Sequence, residues 1–546
     1  MLILGAGING CALARELALN GQAVWIVDSA DIASGATSGS SRLIHGGLRY
    51  LEYGELDLVK ESLAERTRLL KLAPQFVHPL KLWVPAENRF GGTWGAIGRF
   101  FGWQWWPAPK HSRGAVLVGA GLAMYDAYAR DPSVPKHERH KAQETGTPPV
   151  DRKRYRWLSS YYDGQVTFPE RLVQSMLVDA QQLAAERGTE FRVLTYRQAR
   201  LNGDTVEIVS ERGEAAELLR PSLIVNATGA WVDETLAKLH VPAEQLMGGT
   251  KGSHLFTFSP RLIEQLAGQG IYAEASDGRP IFITPLDRCV LIGTTDQAWT
   301  GPPQTARATE QEIEYLINSV NQILPDARLR QGDIAFHYSA VRPLPFVHAK
   351  TTGAITRRHF VVENTKASLP IVSLVGGKLT TMRSLAEESA AVVLKRLGRE
   401  VTANSRTRPF PGSEGYPTEP AAHLALVQEI TERTGYSDAN VAAAMTLYGT
   451  RCDAILSPGS DRRLLPDTEL PLVLARWAID EEHAVTLADL VERRLMLLYH
   501  ARLTRTCLQK LAGLLAERGR LEEANIETAV DAEVERLASR YGKSVR

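Results

Sequence analysis

The sequence predicts an α/β fold, and three features of its N-terminal segment carry that prediction. An aliphatic run, Met1 to Leu4, leads into Gly5-Ala6-Gly7-Ile8-Asn9-Gly10. Cys11 to Leu19 then places apolar residues at helical spacing, and a second aliphatic run, Ala23 to Val27, ends in Asp28. Strand, glycine turn, helix and second strand form the opening of a Rossmann-like dinucleotide-binding unit. Gly5 permits the tight turn, Gly7 lets backbone N–H groups approach a pyrophosphate, and Gly10 lets helix and strand pack closely. The helix N-terminus, where Asn9 lies, offers unpaired donors and the positive end of its dipole to the phosphates. Asp28 is placed to accept hydrogen bonds from the adenosine ribose hydroxyls.

A chain of 546 residues is long enough for two or three domains. Its formal net charge of +1 gives no global pull toward nucleic acid, and no nucleic-acid partner is expected. The four cysteines, Cys11, Cys289, Cys452 and Cys507, are far apart and form no CxxC pair. That spacing predicts reduced thiols, not a disulfide framework or a metal site. No apolar run approaches the roughly twenty residues of a membrane-spanning helix, and no secretory signal is read. Met1 enters the first strand directly, without the polar residues that usually precede one, so a natural start further upstream is one expectation.

After Asp28, the small, hydroxyl-rich stretch Ala33 to Ser41 suits a loop beneath a large planar cofactor. Leu56 to Leu72 carries an amphipathic helical pattern, with Glu61, Glu65 and Arg68 expected on its solvent face. Between Phe90 and Pro109 the chain is rich in Trp, Phe and Gly, and clusters of Lys, Arg and His follow at 136–141 and 152–156. Aromatic rings beside cations suit a monotopic lipid contact; a local aromatic core is the other reading. A helix is expected over Leu172 to Arg187, and paired strands over Arg192 to Ser210 with a turn at Asn202-Gly203-Asp204. A helix is also expected over Glu310 to Leu324. The Pro/Gly/Ser-rich Arg408 to Pro420 reads as a linker. Beyond it lie helical faces in Ala421–Arg433, Val441–Tyr448, Leu472–Ala484 and Leu487–Leu508.

Two later glycine segments are also expected to touch a cofactor: Ala227-Thr228-Gly229 after a short strand, and Gly376-Gly377-Lys378-Leu379-Thr380 between a strand and a helix start. Backbone donors at that helix start suit the carbonyl edge of a flavin, which favours FAD over NAD. Further motifs sharpen this. Ser40-Ser41-Arg42-Leu43-Ile44-His45-Gly46-Gly47-Leu48-Arg49-Tyr50 is followed, in order, by Lys251-Gly252-Ser253-His254, Ile292 to Asp296, Val341-Arg342-Pro343-Leu344, Ile355-Thr356-Arg357 and Gly376 to Thr381. On these motifs, over essentially the first 390 residues, the chain resembles the FAD-dependent glycerol-3-phosphate dehydrogenases.

The resemblance implies an FAD-binding domain of the glutathione-reductase and D-amino-acid-oxidase type (1–80, 155–235 and 350–400). An interleaved α+β substrate-capping domain (81–154 and 236–349) and an all-α C-terminal domain (408–546) complete it. It implies oxidation of sn-glycerol 3-phosphate to dihydroxyacetone phosphate by hydride transfer to FAD N5, with electrons passed to a membrane quinone. Implied contacts to non-covalent FAD are Ser40, Ser41, His45, Gly46, Gly47 and Leu48 beside the glycine segments. Implied substrate ligands are Arg49, Tyr50, Arg342, Arg357 and Lys378, since guanidinium forks match a nearly dianionic phosphate. His254 is the candidate base, with His45 as competitor, and Arg342 orients the oxygen and stabilises a developing alkoxide. The chain is expected at the inner face of the cytoplasmic membrane, held peripherally by a lipid surface; a homodimer is left open. An oxidase returning electrons to oxygen as peroxide is not separated by these motifs. Four cations exceed what an amino-acid oxidase needs for one carboxylate, and a flavin-binding protein without turnover would have lost them. Arg358, after Arg357, and Met382, where an aromatic is common, depart from the family pattern.

Overall fold

The computed structural model describes residues 1–47, 55–89, 114–129, 131, 134–347, 357–364, 367–456 and 461–546. The Trp-rich stretch after Phe90 and Leu48, Arg49 and Tyr50 lie outside the described residues.

The aliphatic run becomes Leu2–Leu4, the short fully buried strand near the middle of a six-stranded sheet. Across the sheet the order is Phe360–Asn364, Ile371–Val375, Ile224–Asn226, Leu2–Leu4, Val24–Val27 and Phe191–Leu194; all neighbours run parallel except the first pair. Strands buried on both faces need continuous apolar sequence, and Leu2, Ile3, Val24, Ile26, Ile224 and Val225 supply it with no exposed surface. Helix Ile8–Leu19 packs between Pro169–Arg187 and Met382–Arg396, with Cys11, Leu13, Ala14 and Leu17 in one apolar core with Met176 and Ala390.

A second, ten-stranded sheet forms the cap. Trp157–Val166 pairs along its whole length with Val77–Ala86, and Leu43–Ile44 pairs with it in turn. The cap sheet therefore draws strands from inside the segments assigned by resemblance to the flavin domain, because this ladder is satisfied only in the larger sheet. Helix Glu310–Ile323 covers the cap; Thr309 and Glu312 close its N-terminus with a reciprocal capping box. Arg197–Asn202 and Thr205–Ser210 pair about the expected turn, where Gly203 takes φ +63°.

Three local expectations change. Glu65 is not on a solvent face: it is buried and receives both Nε (2.6 Å) and Nη2 (2.7 Å) of Arg383, because helix Leu56–Leu72 is covered by Met382–Arg396. The segment 408–420 is not a loose linker. Arg408 forks onto Asp179, Phe410 is fully buried, and Pro411 O accepts from Gln75 and Ser175. The helix expected over 487–508 is broken into Leu487–Asp489, a π-turn over Leu490–Arg494, a 3-10 turn over Leu497–Tyr499 and helix Arg505–Glu517. The wide turn aims two consecutive arginines, Arg493 and Arg494, at the buried carboxylate of Asp31 on the flavin side.

Candidate active site

A cavity of about 2160 Å³ runs between the two sheets. That exceeds the roughly 300–1,000 Å³ of an ordinary small-molecule pocket and leaves room for a dinucleotide and a second ligand. Its floor is the N-terminal turn. Gly5 adopts φ +103°, and a side chain at Gly10 would place its Cβ 2.0 Å from Gly5 O, so strand and helix touch backbone to backbone. Gly7 has only Thr37 Oγ1 near its missing Cβ, at 3.6 Å, and faces the cavity. Asp28 also lines it, yet both carboxylate oxygens already accept backbone N–H groups, from Ala6 (2.7 Å) and Ala30 (2.8 Å). Each keeps a second acceptor site for a ribose hydroxyl.

The expected cofactor residues Asn9, Ser40, Ser41, His45, Gly47, Ala227, Thr228, Gly229, Gly377, Lys378, Leu379 and Thr380 share this one lining. Three of the expected glycines do not. Gly10 lies against Gly5 and Gly376 against Arg358 O, while Gly46 lies against Leu63 and Tyr125, with its N–H donated to Tyr125 Oη and Asp163. They shape the wall from behind. Asn9 Oδ1, Ser40 Oγ and His254 Nδ1 are buried polar atoms without a partner among the described residues. All three belong to residues of the cavity wall. Buried polar atoms are rarely left so, and those of Asn9 and Ser40, with the helix N-terminus beside Gly7, fit the hydrogen-bonding edges of FAD.

One wall of the cavity is the ladder between Met247–Thr257 and Ile334–Pro345. Its register sets Thr250 opposite Arg342, Gly252 opposite Ala340 and His254 opposite Tyr338, and the two-residue strand period turns all six to one face. Arg342 folds over Gly252, where a Cβ would sit 2.1 Å from Nη2. Its Nη1 donates to Thr250 Oγ1 (3.2 Å) and Asp296 Oδ1 (3.0 Å), and Nη2 to Thr294 Oγ1 (2.9 Å) and Thr295 O (3.0 Å). His254 Nε2 shares a hydrogen bond with Ser41 Oγ at 2.8 Å. Burial, with Arg342 and Arg42 nearby, pushes its pKa down to about 3, so the imidazole is neutral.

The second grouping comes from the far end of the chain. Lys378 Nζ donates to Ser62 Oγ at 2.7 Å, and burial lowers its pKa to about 7 against the pull of Glu61 and Glu55. Burial lowers His45 to about 3, helped by Lys378 and Arg357, which stand close enough to act on it. Thr380 Oγ1 accepts from His45 N at 3.1 Å and ties the glycine loop to the histidine. Arg342, Arg357 and Lys378 thus line one cavity.

Arg42, which the motif reading assigns no role, is the most heavily bonded side chain behind the Ser40-Ser41 wall. It is fully buried, takes φ +55°, forks onto Glu170 (Nη2–Oε1 2.7 Å, Nη1–Oε2 3.1 Å) and also meets Thr167 O and Tyr499 Oη. With Tyr338 (3.4 Å) its partners come from three distant segments, so local sequence carries no signal for them. Lys251, from the His254 motif, is buried against Glu312 (2.7 Å) and braces the cap.

This geometry defines a flavin oxidoreductase. A family model for FAD-dependent oxidoreductases matches residues 1–383, and one for the C-terminal domain of alpha-glycerophosphate oxidase matches 403–526. The chain is 34% identical to a glycerol-3-phosphate dehydrogenase of Synechocystis over 90% of its length and 88% of the relative's. To the aerobic glycerol-3-phosphate dehydrogenase of Escherichia coli it is 32% identical over 71% of this chain and 72% of that one. The solved glycerol-3-phosphate dehydrogenase of Bacillus halodurans, complexed with FAD, shares the fold at TM-score 0.73 and 20% identity, covering 99% of this chain and 94% of that chain. The chain belongs to the FAD-dependent glycerol-3-phosphate dehydrogenase family, and its cofactor is FAD.

Proposed function

We propose that the protein oxidises sn-glycerol 3-phosphate to dihydroxyacetone phosphate and passes the electrons to a membrane quinone. The observation that carries this is the meeting of Arg342, Arg357 and Lys378 with His45 and His254 around one cavity. Arg357 and Lys378 hold the phosphate, with Arg49 and Tyr50 as further ligands from the resemblance. Arg342, fixed by Asp296 and three further acceptors, then meets the substrate hydroxyl without reorganising. His254 is unprotonated at working pH and accepts the hydroxyl proton; a dianion bound beside it raises its basicity. Bound FAD supplies the two-electron acceptor. Asn9, Ser40, Ser41, Ala227 to Gly229 and Gly377 to Thr380 line the groove that holds it.

No helix among the described residues is long and apolar enough to cross a membrane. Peripheral attachment to the inner face, with the Trp- and Phe-rich sequence after Phe90 as the lipid contact, is the reading that the aromatic and basic composition supports. Anaerobic addition of glycerol 3-phosphate should bleach the flavin of the purified holoprotein; an unbleached spectrum rejects the substrate. Turnover with a soluble quinone and little peroxide under air is expected, whereas stoichiometric peroxide assigns an oxidase instead.

A further inference from the structure

The loop carrying Ser38 to Ser41 has no strand ladder to fix it; residues 32–39 are turns, and Leu43–Ile44 is the first strand after them. Side chains from behind do that work. Tyr338 Oη donates to Ser40 O at 2.6 Å, and Arg42 donates to Ser38 O (3.4 Å) and to Tyr338 Oη (3.4 Å). Arg42 is itself held by Glu170 and by Tyr499, which reaches in from the C-terminal helical domain. The Tyr499 ring lies 4.6 Å beneath the Arg42 guanidinium and packs on Phe168, Phe256 and Phe336 at 5.3–5.5 Å. At the front of the loop, Ser41 Oγ shares a hydrogen bond with His254 Nε2 at 2.8 Å and so fixes how the ring is turned.

We propose that Tyr499 is a positioning residue for the active site: through Arg42 it holds the Ser38–Ser41 loop, and with it the hydroxyl that orients His254. The C-terminal domain is then a working part of the site. Glu170 alone already neutralises the Arg42 guanidinium with two bonds, so the Tyr499 hydroxyl is not required for charge balance. Its effect is directional, and small displacements of a reacting group cost rate steeply. The proposal rests on the reading of His254 given above.

Tyr499→Phe removes one oxygen and keeps the ring packing. The test compares holoprotein of wild type, Tyr499→Phe, Ser41→Ala and the double variant. Two readouts are taken: the rate of anaerobic flavin bleaching by glycerol 3-phosphate, and the ¹⁵N signals of the His254 ring, identified by their loss in His254→Gln. Tyr196→Phe is the control. It cuts a different tie to the same domain, the 2.5 Å bond to Asp489, without touching the loop. Expected are retained FAD, a roughly tenfold slower bleaching in Tyr499→Phe, His254 signals displaced toward those of Ser41→Ala, and no further loss in the double variant. Tyr196→Phe should bleach at the wild-type rate. Bleaching within twofold of wild type with unmoved His254 signals overturns the proposal, as does an equal loss in Tyr196→Phe. If the wild-type flavin is not bleached at all, the substrate reading fails, and the His254 signals of Tyr499→Phe alone decide: displaced they support the proposal, unmoved they overturn it.

Discussion

Replacing Arg342 by alanine removes a guanidinium that Asp296, Thr250, Thr294 and Thr295 hold at the cavity wall. Its partner Asp296 lines the same cavity. The change therefore withdraws a charged hydrogen bond to substrate and leaves a carboxylate facing a phosphate dianion. Hydrogen bonds to charged groups are each worth about 1.5–3 kcal/mol. Four of the five guanidinium N–H donors are spent on these partners, which leaves at most one for the substrate, so the loss is about 1.5–3 kcal/mol, or roughly one to two decades in kcat/KM. The thermal midpoint should fall as well, because the pair is only 25% and 19% exposed and the variant strands Asp296, so FAD content and the midpoint separate a loss of fold from a loss of substrate binding. Steady-state kinetics with a soluble acceptor, FAD content and thermal midpoint are the assays. Adding Asp296→Asn should recover about tenfold, the effect of relieving roughly 1.4 kcal/mol of like-charge repulsion. A single variant within tenfold of wild type, or a double variant no better than the single, would refute the assignment of Arg342 to the substrate.

Lys378 makes binding pH-dependent. Its value of about 7 lies below the ordinary 10.5, so between them the folded chain holds fewer protons than the unfolded one. The buried ammonium therefore destabilises the fold below pH 7, and that penalty fades as pH rises toward 10.5. The phosphate needs the ammonium, so kcat/KM should fall above about pH 7, and Lys378→Arg should flatten that limb. A limb unchanged in the variant assigns it to another group. Gly10→Ala should yield colourless or insoluble protein, since its methyl would meet backbone at 2.0 Å. Yellow, soluble protein from that variant would show that the turn yields.

The N-terminal unit was legible because its signals are local: a strand, a turn that admits no side chain at Gly10, and a helix, all within one short stretch. The wall that carries His254 was legible only through whole motifs, as nothing in Lys251 to His254 indicates that the lysine braces the cap while the histidine faces the cavity. Alternating strand geometry separates them once the register is known. Glu65 misled because an amphipathic pattern tells polar from apolar faces but not solvent from a second layer carrying Arg383. Arg42, Glu170 and Tyr499 were invisible for a simpler reason: each satisfies a buried charge or donor of the others from segments with no periodic relation. Apolar spacing over Leu487–Leu508 matches one continuous helix because it does not reveal the wide turn at Leu490–Arg494.

The clamp of Arg493 and Arg494 on Asp31 also sets an order of events during synthesis. Asp31 leaves the ribosome early, whereas its two arginines, and the Leu498, Tyr499 and Tyr541 that complete the cavity wall, leave near the end. A nascent chain can wind its Rossmann-like unit yet offers the flavin only an open-sided trough. Truncations that remove Arg493 to Tyr541 should therefore emerge flavin-poor even though every glycine of the dinucleotide turn is intact.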